Sequence, residues 1–160
     1  MLKHISFGKG VKTLAILIPT KDLNAELLHE HYVAPLEAQG IDRGQIVAFN
    51  LMQTDKGKVT AALVKSWLKV LKKSITHMGI KNVLVCDSPY FKTFAKVLKV
   101  SPHYGYVMPS IWDGVNAFLS LNYRALFYDP SSQNRLDMSI EAVARHVNKQ
   151  PGIFEEEILR

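Results

Sequence analysis

The apolar residues of this chain fall into short continuous runs that are separated by longer stretches with helical spacing. Continuous runs with β-branched residues are typical of strands buried on both faces of a sheet. Three such runs predict strands at Leu14–Ile18, Gln45–Leu51 and Asn82–Cys86. A fourth run, richer in aromatic residues, predicts a strand at Tyr123–Tyr128.

The stretches between these runs repeat apolar residues every three or four positions, which predicts helices. The first helix follows a cap at Asp22 or Asn24, and the second runs from a Thr60 cap to about His77. Further helices are predicted at Tyr90–Leu98 and Met138–Asn148, and a short strand at Tyr106–Met108. The segments Ser101–Ser110 and Trp112–Asn122 are otherwise predicted to be irregular.

Strands that alternate with helices predict an α/β fold with a mainly parallel sheet and helices on both faces. The length of 160 residues suits a single core. We expect residues 1–150 to form this one domain and residues 151–160 to be an acidic exit segment or linker.

The helix predicted at residues 60–77 has two opposed faces when its residues are placed at 100° intervals. The side predicted to face the core contains Leu63, Trp67, Val70, Leu71, Ser74 and Met78. The opposite side forms a lysine ridge that consists of Lys58, Lys65, Lys69 and Lys72, with Lys73 at its edge.

The positive charge of the chain, +6 overall, is concentrated around this ridge. Residues 56–99 contain ten lysines and one acid, Asp87, whereas the rest of the chain carries more acidic than basic residues. Such a patch attracts polyanions and commonly contacts phosphates. The alternative is a solvated lysine-rich surface that contributes only to solubility.

Several classes of protein and site are excluded by what the sequence lacks. No apolar run approaches the roughly 20 residues of a membrane span, and no secretory signal pattern is present. The single Cys86 excludes an internal disulfide framework. No glycine-rich nucleotide-binding motif follows a strand, and no histidine has a partner at metal-ligand spacing. We therefore expect no cofactor, no metal, no membrane contact and a cytoplasmic location.

Polar residues at the ends of the predicted strands are the candidates for chemistry. Asp22, Asp87 and Asp129 each follow a strand and could converge at the carboxyl edge of the sheet, where α/β folds bind ligands. Paired carboxylates serve acid–base catalysis, but aspartates in this position also cap helices. Asn50 ends an apolar strand and could read a base edge or stabilise a turn.

Aromatic residues are also frequent near this predicted edge: Tyr90, Phe91, Tyr104, Tyr106, Trp112, Tyr123 and Tyr128. Aromatic faces beside a basic patch suit single-stranded nucleic acid, whose bases stack on them. We expect most of these rings to lie in the core instead.

The order of the strand-end segments resembles the uracil-DNA glycosylase superfamily. Phe49-Asn50-Leu51 looks like its Asn-containing turn, Asn82–Lys96 resembles its third strand and short helix, and Phe127–Ser132 resembles its His-Pro-Ser loop. The resemblance implies a three-layer α/β/α sandwich around four mainly parallel strands. Asp129 replaces the family's histidine, and only Asp22 could stand in for the water-activating residue. We therefore expect a degenerate site, with Asp22, Asn50 and Asp129 as its weak catalytic candidates.

The chain also resembles the N-terminal, glycosylase-like segment of bacteriophage family-A DNA polymerases. The phrases Pro19–Asn24, Leu28–Leu36 and Tyr123–Pro130 carry this resemblance. It implies a non-catalytic module that binds DNA or docks exonuclease and polymerase domains during phage replication, in an infected bacterial cell. The expected DNA contacts are Lys58, Lys65, Lys69, Lys72, Lys73, Asn50, Ser131, Ser132 and Asn134. A protein–protein adaptor and an active glycosylase are the two alternatives.

Overall fold

The computed structural model describes residues 2–54, 56–100 and 103–149 and has an α/β fold built on one six-stranded mixed sheet. The strands are β1 (His4–Ser6), β2 (Leu14–Pro19), β3 (Ile46–Leu51), β4 (Asn82–Val85), β5 (Met108–Pro109) and β6 (Asn116–Leu119). Their order across the sheet is β1-β3-β2-β4-β6-β5. The predicted α/β class is confirmed, but the expectation of four strands was wrong.

The four inner strands run parallel to one another, and the two outer strands are antiparallel to their neighbours. β2 is central, with Leu17 paired to Phe49 on one side and to Val85 on the other. Every residue of β2, β3 and β4 is buried. Their continuous apolar sequences follow from this, because a central parallel strand has both faces covered.

Helices connect the strands; α1, α3 and α4 begin close to the predicted positions, whereas α6 begins five residues earlier than predicted. They are α1 (Ala25–Leu28), α2 (Ala34–Ala38), α3 (Ala61–His77), α4 (Ser88–Ala95), α5 (Ala125–Tyr128) and α6 (Gln133–Val147). A π-helical turn at His29–Val33 joins α1 to α2, and 3₁₀ turns occur at Arg43–Gln45 and Pro130–Ser132. Asn24, Thr60 and Asp87 cap α1, α3 and α4 through their side chains. Of the two residues proposed for the first cap, Asn24 is therefore the one used.

The helices pack in two pairs, α3 with α4 and α2 with α6. Both α4 and α6 contact β4 and β6. The largest fully buried side chains are Tyr32, Tyr90, Phe49, Phe91, Phe94 and Phe118. Of the seven aromatic residues expected near the carboxyl edge, five are buried in the core, as expected: Tyr90, Phe91, Tyr104, Trp112 and Tyr123.

The strand predicted at Tyr123–Tyr128 was wrong, because this segment forms the short helix α5. The fourth parallel strand is instead β6, inside a segment that was predicted to be irregular. Two hydrogen bonds divert the chain after β6: the Tyr123 amide donates to Tyr32 Oη at 2.9 Å, and the Arg124 amide donates to Asn122 Oδ1 at 3.1 Å. Backbone donors used in this way are not available to a sheet.

The core-facing side of α3 is rotated from its predicted position. Its buried residues are Val64, Trp67, Leu68, Leu71 and Ile75. Val70, which was predicted to face inward, is 41% exposed. The rotation places most of the lysine side on a flank of the helix instead of directly opposite the core, and its lysines remain exposed.

The acidic segment predicted at residues 151–160 lies outside the described residues. Within the described ranges, no helix combines the length and the apolar character that crossing a membrane requires.

Candidate nucleic-acid interface

A cleft of about 630 Å³ lies at the carboxyl ends of β2 and β3. The strand order reverses beside it, since the chain passes from β2 to β3 on one side and returns to β4 on the other. Ligands of open α/β sheets bind at such a reversal. We call this site the rim cleft, and its lining consists of Lys3, Thr20, Lys21, Asp22, Asn50, Met52, Gln53, Thr54, Gly57 and Arg124.

Among the described residues, the charged side chains that line the rim cleft are three cations, Lys3, Lys21 and Arg124, and one acid, Asp22. Lys3 Nζ lies 2.5 Å from Asp22 Oδ1. The hydrogen bond and charge of Lys3 lower the pKa of the Asp22 carboxyl, so this carboxylate is poorly suited to accept a proton from water. Lys21 and Arg124 form no ion pair among the described residues. The cleft therefore carries a net positive charge and suits an anion.

Asn50 forms part of the floor of the rim cleft and is 3% exposed. Its side-chain oxygen accepts a hydrogen bond from the Lys3 amide at 2.7 Å. Its backbone amide donates to the Lys3 carbonyl at 3.2 Å. These bonds prolong the pairing of β1 with β3 by one residue, so Asn50 joins two strands of the sheet.

A hydrogen bond links the same residue to the lysine-bearing helix. Trp67 Nε1 on α3 donates to the Asn50 carbonyl at 2.9 Å. Trp67 is 7% exposed, so this bond is shielded from water. It fixes the position of α3 relative to the cleft.

A shallower groove of about 730 Å³ adjoins the rim cleft along α3. Residues 52–54 line both depressions and form the boundary between them. We call the second depression the α3 groove; its remaining lining is Thr60, Ala62, Leu63 and Ser66. The two depressions thus form one concave surface from the strand ends to the first turns of α3.

All five lysines of the ridge are exposed to solvent. No ion pair within the described residues involves any of them. Lys69 and Lys73 lie one and two turns beyond Ser66, on the side of the helix that carries Ala62 and Ser66 of the α3 groove. Lys58 is tied to the boundary itself, since its amide donates to Thr54 Oγ1 at 3.0 Å and its carbonyl accepts from the Thr54 amide at 2.8 Å.

The candidate site residues that follow α5 line neither depression. Asp129 accepts hydrogen bonds from the Ser131 hydroxyl at 2.5 Å and from the Ser132 hydroxyl at 3.3 Å. These bonds, chiefly the one from Ser131, lower the pKa of Asp129. Asn134 is exposed at the start of α6. None of these four residues lines the rim cleft or the α3 groove as described.

Asp87 performs the capping role that was the alternative to chemistry. Its Oδ2 accepts the Tyr90 amide at 2.9 Å, and burial raises the pKa of its carboxyl. Only Asp22 of the three strand-end aspartates lines the rim cleft. Asp22 and Asp87 each follow a parallel strand, as expected. The expectation was wrong for Asp129, because the segment before it is the helix α5 and the nearest preceding strand, β6, ends ten residues earlier at Leu119.

Sequence reasoning missed the three cations of the rim cleft. Lys3 precedes a strand of three residues that carries too little apolar pattern to be recognised. Arg124 lies in the segment mistaken for a strand. Lys21 had a usable signal, since it follows the strand predicted at Leu14–Ile18 by three residues and so had to lie at the carboxyl edge.

The sequence matches no protein-family model and no curated protein.

Proposed function

We propose that this chain is a non-catalytic DNA-binding module that holds the phosphate backbone with low sequence specificity. The lysine ridge, the α3 groove and the rim cleft form its binding surface. The observation that carries the proposal is their continuity: Lys69 and Lys73 of α3 continue the α3 groove, and residues 52–54 join that groove to a cleft whose described lining has three cations and one acid. Clustered cations of this kind attract the phosphates of nucleic acid.

A role without catalysis is supported by the state of the two candidate acids. Asp22 is bound by Lys3, and Asp129 is bound by two serine hydroxyls. Both interactions favour the ionised carboxylate and lower its basicity. Neither carboxylate is prepared to activate water, and they do not line one cleft.

We further propose that the fold is a uracil-DNA glycosylase-like sandwich and that the chain is the N-terminal part of a phage family-A DNA polymerase. The arrangement of the four parallel strands supports it. Across the sheet they lie in the order β3-β2-β4-β6, so the second parallel strand along the chain comes first, followed by the first, the third and the fourth. The two helix pairs, which include α4 and α6 on the same strands, are consistent with helical layers on both faces. Docking to exonuclease and polymerase domains in the cytoplasm of an infected cell belongs to this proposal.

The salt dependence of binding tests the ridge directly. The variant Lys65→Gln/Lys69→Gln/Lys72→Gln should bind labelled duplex DNA more weakly than the parent. The slope of log K against log salt should flatten by about 0.9 for each phosphate that the variant no longer neutralises. A charge-matched control is Lys9→Gln/Lys81→Gln/Lys149→Gln, since these exposed lysines lie outside both depressions.

The control should keep the affinity and the slope of the parent. If the two triple variants bind equally well, the ridge is not the binding face. If the parent binds no DNA at low salt, the DNA-binding function is wrong, and an acidic protein partner becomes the explanation for the cationic surface.

A further inference from the structure

Two neighbouring aromatic side chains lie open to solvent on α5. Phe127 is 69% exposed and Tyr128 is 89% exposed. Most other rings of the molecule are buried, among them Phe91, Phe94 and Tyr90. Adjacent large apolar side chains at such exposure commonly mark a binding surface.

The segment that carries these rings is held in place by hydrogen bonds to the sheet. Asn122 Nδ2 donates to the Pro19 carbonyl at the end of β2, at 3.3 Å. The Tyr123 amide donates to the buried Tyr32 hydroxyl at 2.9 Å, and that hydroxyl donates to the Leu121 carbonyl at 2.6 Å. The rings therefore project from an anchored helical turn.

The same turn supplies a cation of the rim cleft. Arg124 lines the cleft, and the Phe127 amide donates to the Arg124 carbonyl at 3.1 Å. Residues three and four positions apart lie on one side of a helical turn. Phe127 and Tyr128 therefore adjoin Arg124 at the margin of the cleft.

We propose that the DNA held by this surface is single-stranded and that two of its bases stack on Phe127 and Tyr128. This inference rests on the proposed function and specifies its ligand. Lys3, Lys21 and Arg124 would contact the phosphates of the same segment. Paired bases in a duplex have both faces covered by their neighbours, whereas a single strand offers free faces to aromatic rings. The cations beside the rings favour this ligand over an apolar protein surface.

The test is a double-mutant-type cycle: the aromatic rings are removed from the protein, the bases are removed from the DNA, and binding is compared for each combination. The double variant Phe127→Ser/Tyr128→Ser changes only exposed side chains, so the fold should be retained. Its matched control, Val11→Ser/Leu98→Ser, removes two apolar side chains that are 79% and 94% exposed elsewhere on the surface. The probes are a fluorescein-labelled oligothymidine, a strand of equal length made of abasic sites, and a duplex, compared by anisotropy at one salt concentration.

The parent should bind oligothymidine more tightly than the abasic strand, by roughly tenfold for each stacked base. The double variant should lose this preference and bind both strands equally, while its duplex affinity and the behaviour of the control stay unchanged. Tyr128→Phe should bind as the parent does, because stacking does not need the hydroxyl.

Three results would overturn the inference and leave DNA binding in place: a parent that binds duplex but does not distinguish bases from abasic sites, a double variant that retains the preference, or a double variant that loses duplex and single strand equally. A parent dimer that the double variant abolishes without any effect on DNA would likewise overturn it, since the rings would then be a protein interface. A parent that binds none of the probes would refute the proposed function itself.

Discussion

The Lys3 backbone amide donates a hydrogen bond to Asn50 Oδ1 at 2.7 Å, and the Asn50 amide donates one to the Lys3 carbonyl at 3.2 Å. This reciprocal pair attaches the residue before β1 to the end of β3. It also places the Lys3 ammonium group at the rim cleft, where it meets Asp22. A buried amide thus positions a cation that the sequence alone did not identify.

Asn50→Ala should destabilise the fold by about 1–3 kcal/mol, because the Lys3 amide would lose its acceptor in a partly buried hydrogen bond. The free energy of unfolding in urea measures this loss. Asn134→Ala, on the exposed face of α6, is the matched control and should stay within about 0.5 kcal/mol of the parent. Equal stabilities for the two variants would show that the Asn50–Lys3 pair contributes nothing.

Asp22→Asn should increase DNA affinity at low salt. The change removes the one acid among the described residues of the rim cleft and releases the Lys3 ammonium group. We expect a gain of about fivefold, since a unit charge at 4 Å in water is worth about 1 kcal/mol. Asp113→Asn alters the net charge identically at an exposed position outside the cleft. An identical response of the two variants would mean that only net charge matters and that the cleft has no special role.

Asp87→Asn should stabilise the protein at neutral pH. Burial raises the pKa of the Asp87 carboxyl, so its ionisation is less favourable in the folded state than in the unfolded chain. The penalty exists above the ordinary aspartate pKa of about 3.9 and disappears below it, where the carboxyl is protonated in both states. The advantage of the variant should therefore shrink when urea unfolding is repeated near pH 3.

Asp87→Ala separates this charge effect from the cap. It should lose about 1 kcal/mol at neutral pH, because alanine cannot accept the Tyr90 amide. If asparagine and alanine destabilise the protein equally, the charge of Asp87 carries no penalty.

Cys86 should be unreactive in the folded protein. Burial raises the pKa of its thiol to about 12, and the residue is 1% exposed, so both the thiolate and a path for reagents are lacking. A disulfide reagent at pH 8 should modify the thiol promptly in denaturant and only at the rate of unfolding without it. Rapid modification under native conditions would contradict the burial of this strand end.

The sequence was sufficient to predict the central strands and the helix caps, because both signals are local. Leu14–Ile18 has a continuous apolar run, and Thr60 precedes a helix with one lysine-rich side. Neither feature depends on distant contacts. The carboxyl edge of the sheet could therefore be located, and with it the region of the rim cleft.

The late part of the chain could not be predicted, because its conformation depends on partners far away in sequence. Tyr123–Tyr128 has the aromatic composition of a strand, yet Tyr32 captures the Tyr123 amide across 91 positions. Asn116–Leu119 becomes a strand because β4 offers it an edge to pair with. Local propensity is overridden in both cases. Because Tyr123–Tyr128 was predicted to be a strand, Arg124 was not recognised as a residue of the site.

The short strand β1 has a further consequence for the behaviour of the chain. It pairs with β3 over three residues at the margin of the sheet and occupies donors and acceptors that would otherwise face solvent. A version shortened to begin after Ser6 would present the unpaired backbone N–H and C=O groups of β3 to its neighbours. An unpaired edge strand of this kind can pair with the edge strand of another molecule. The strand β1, which directly follows Lys3, therefore also protects the protein against self-polymerisation.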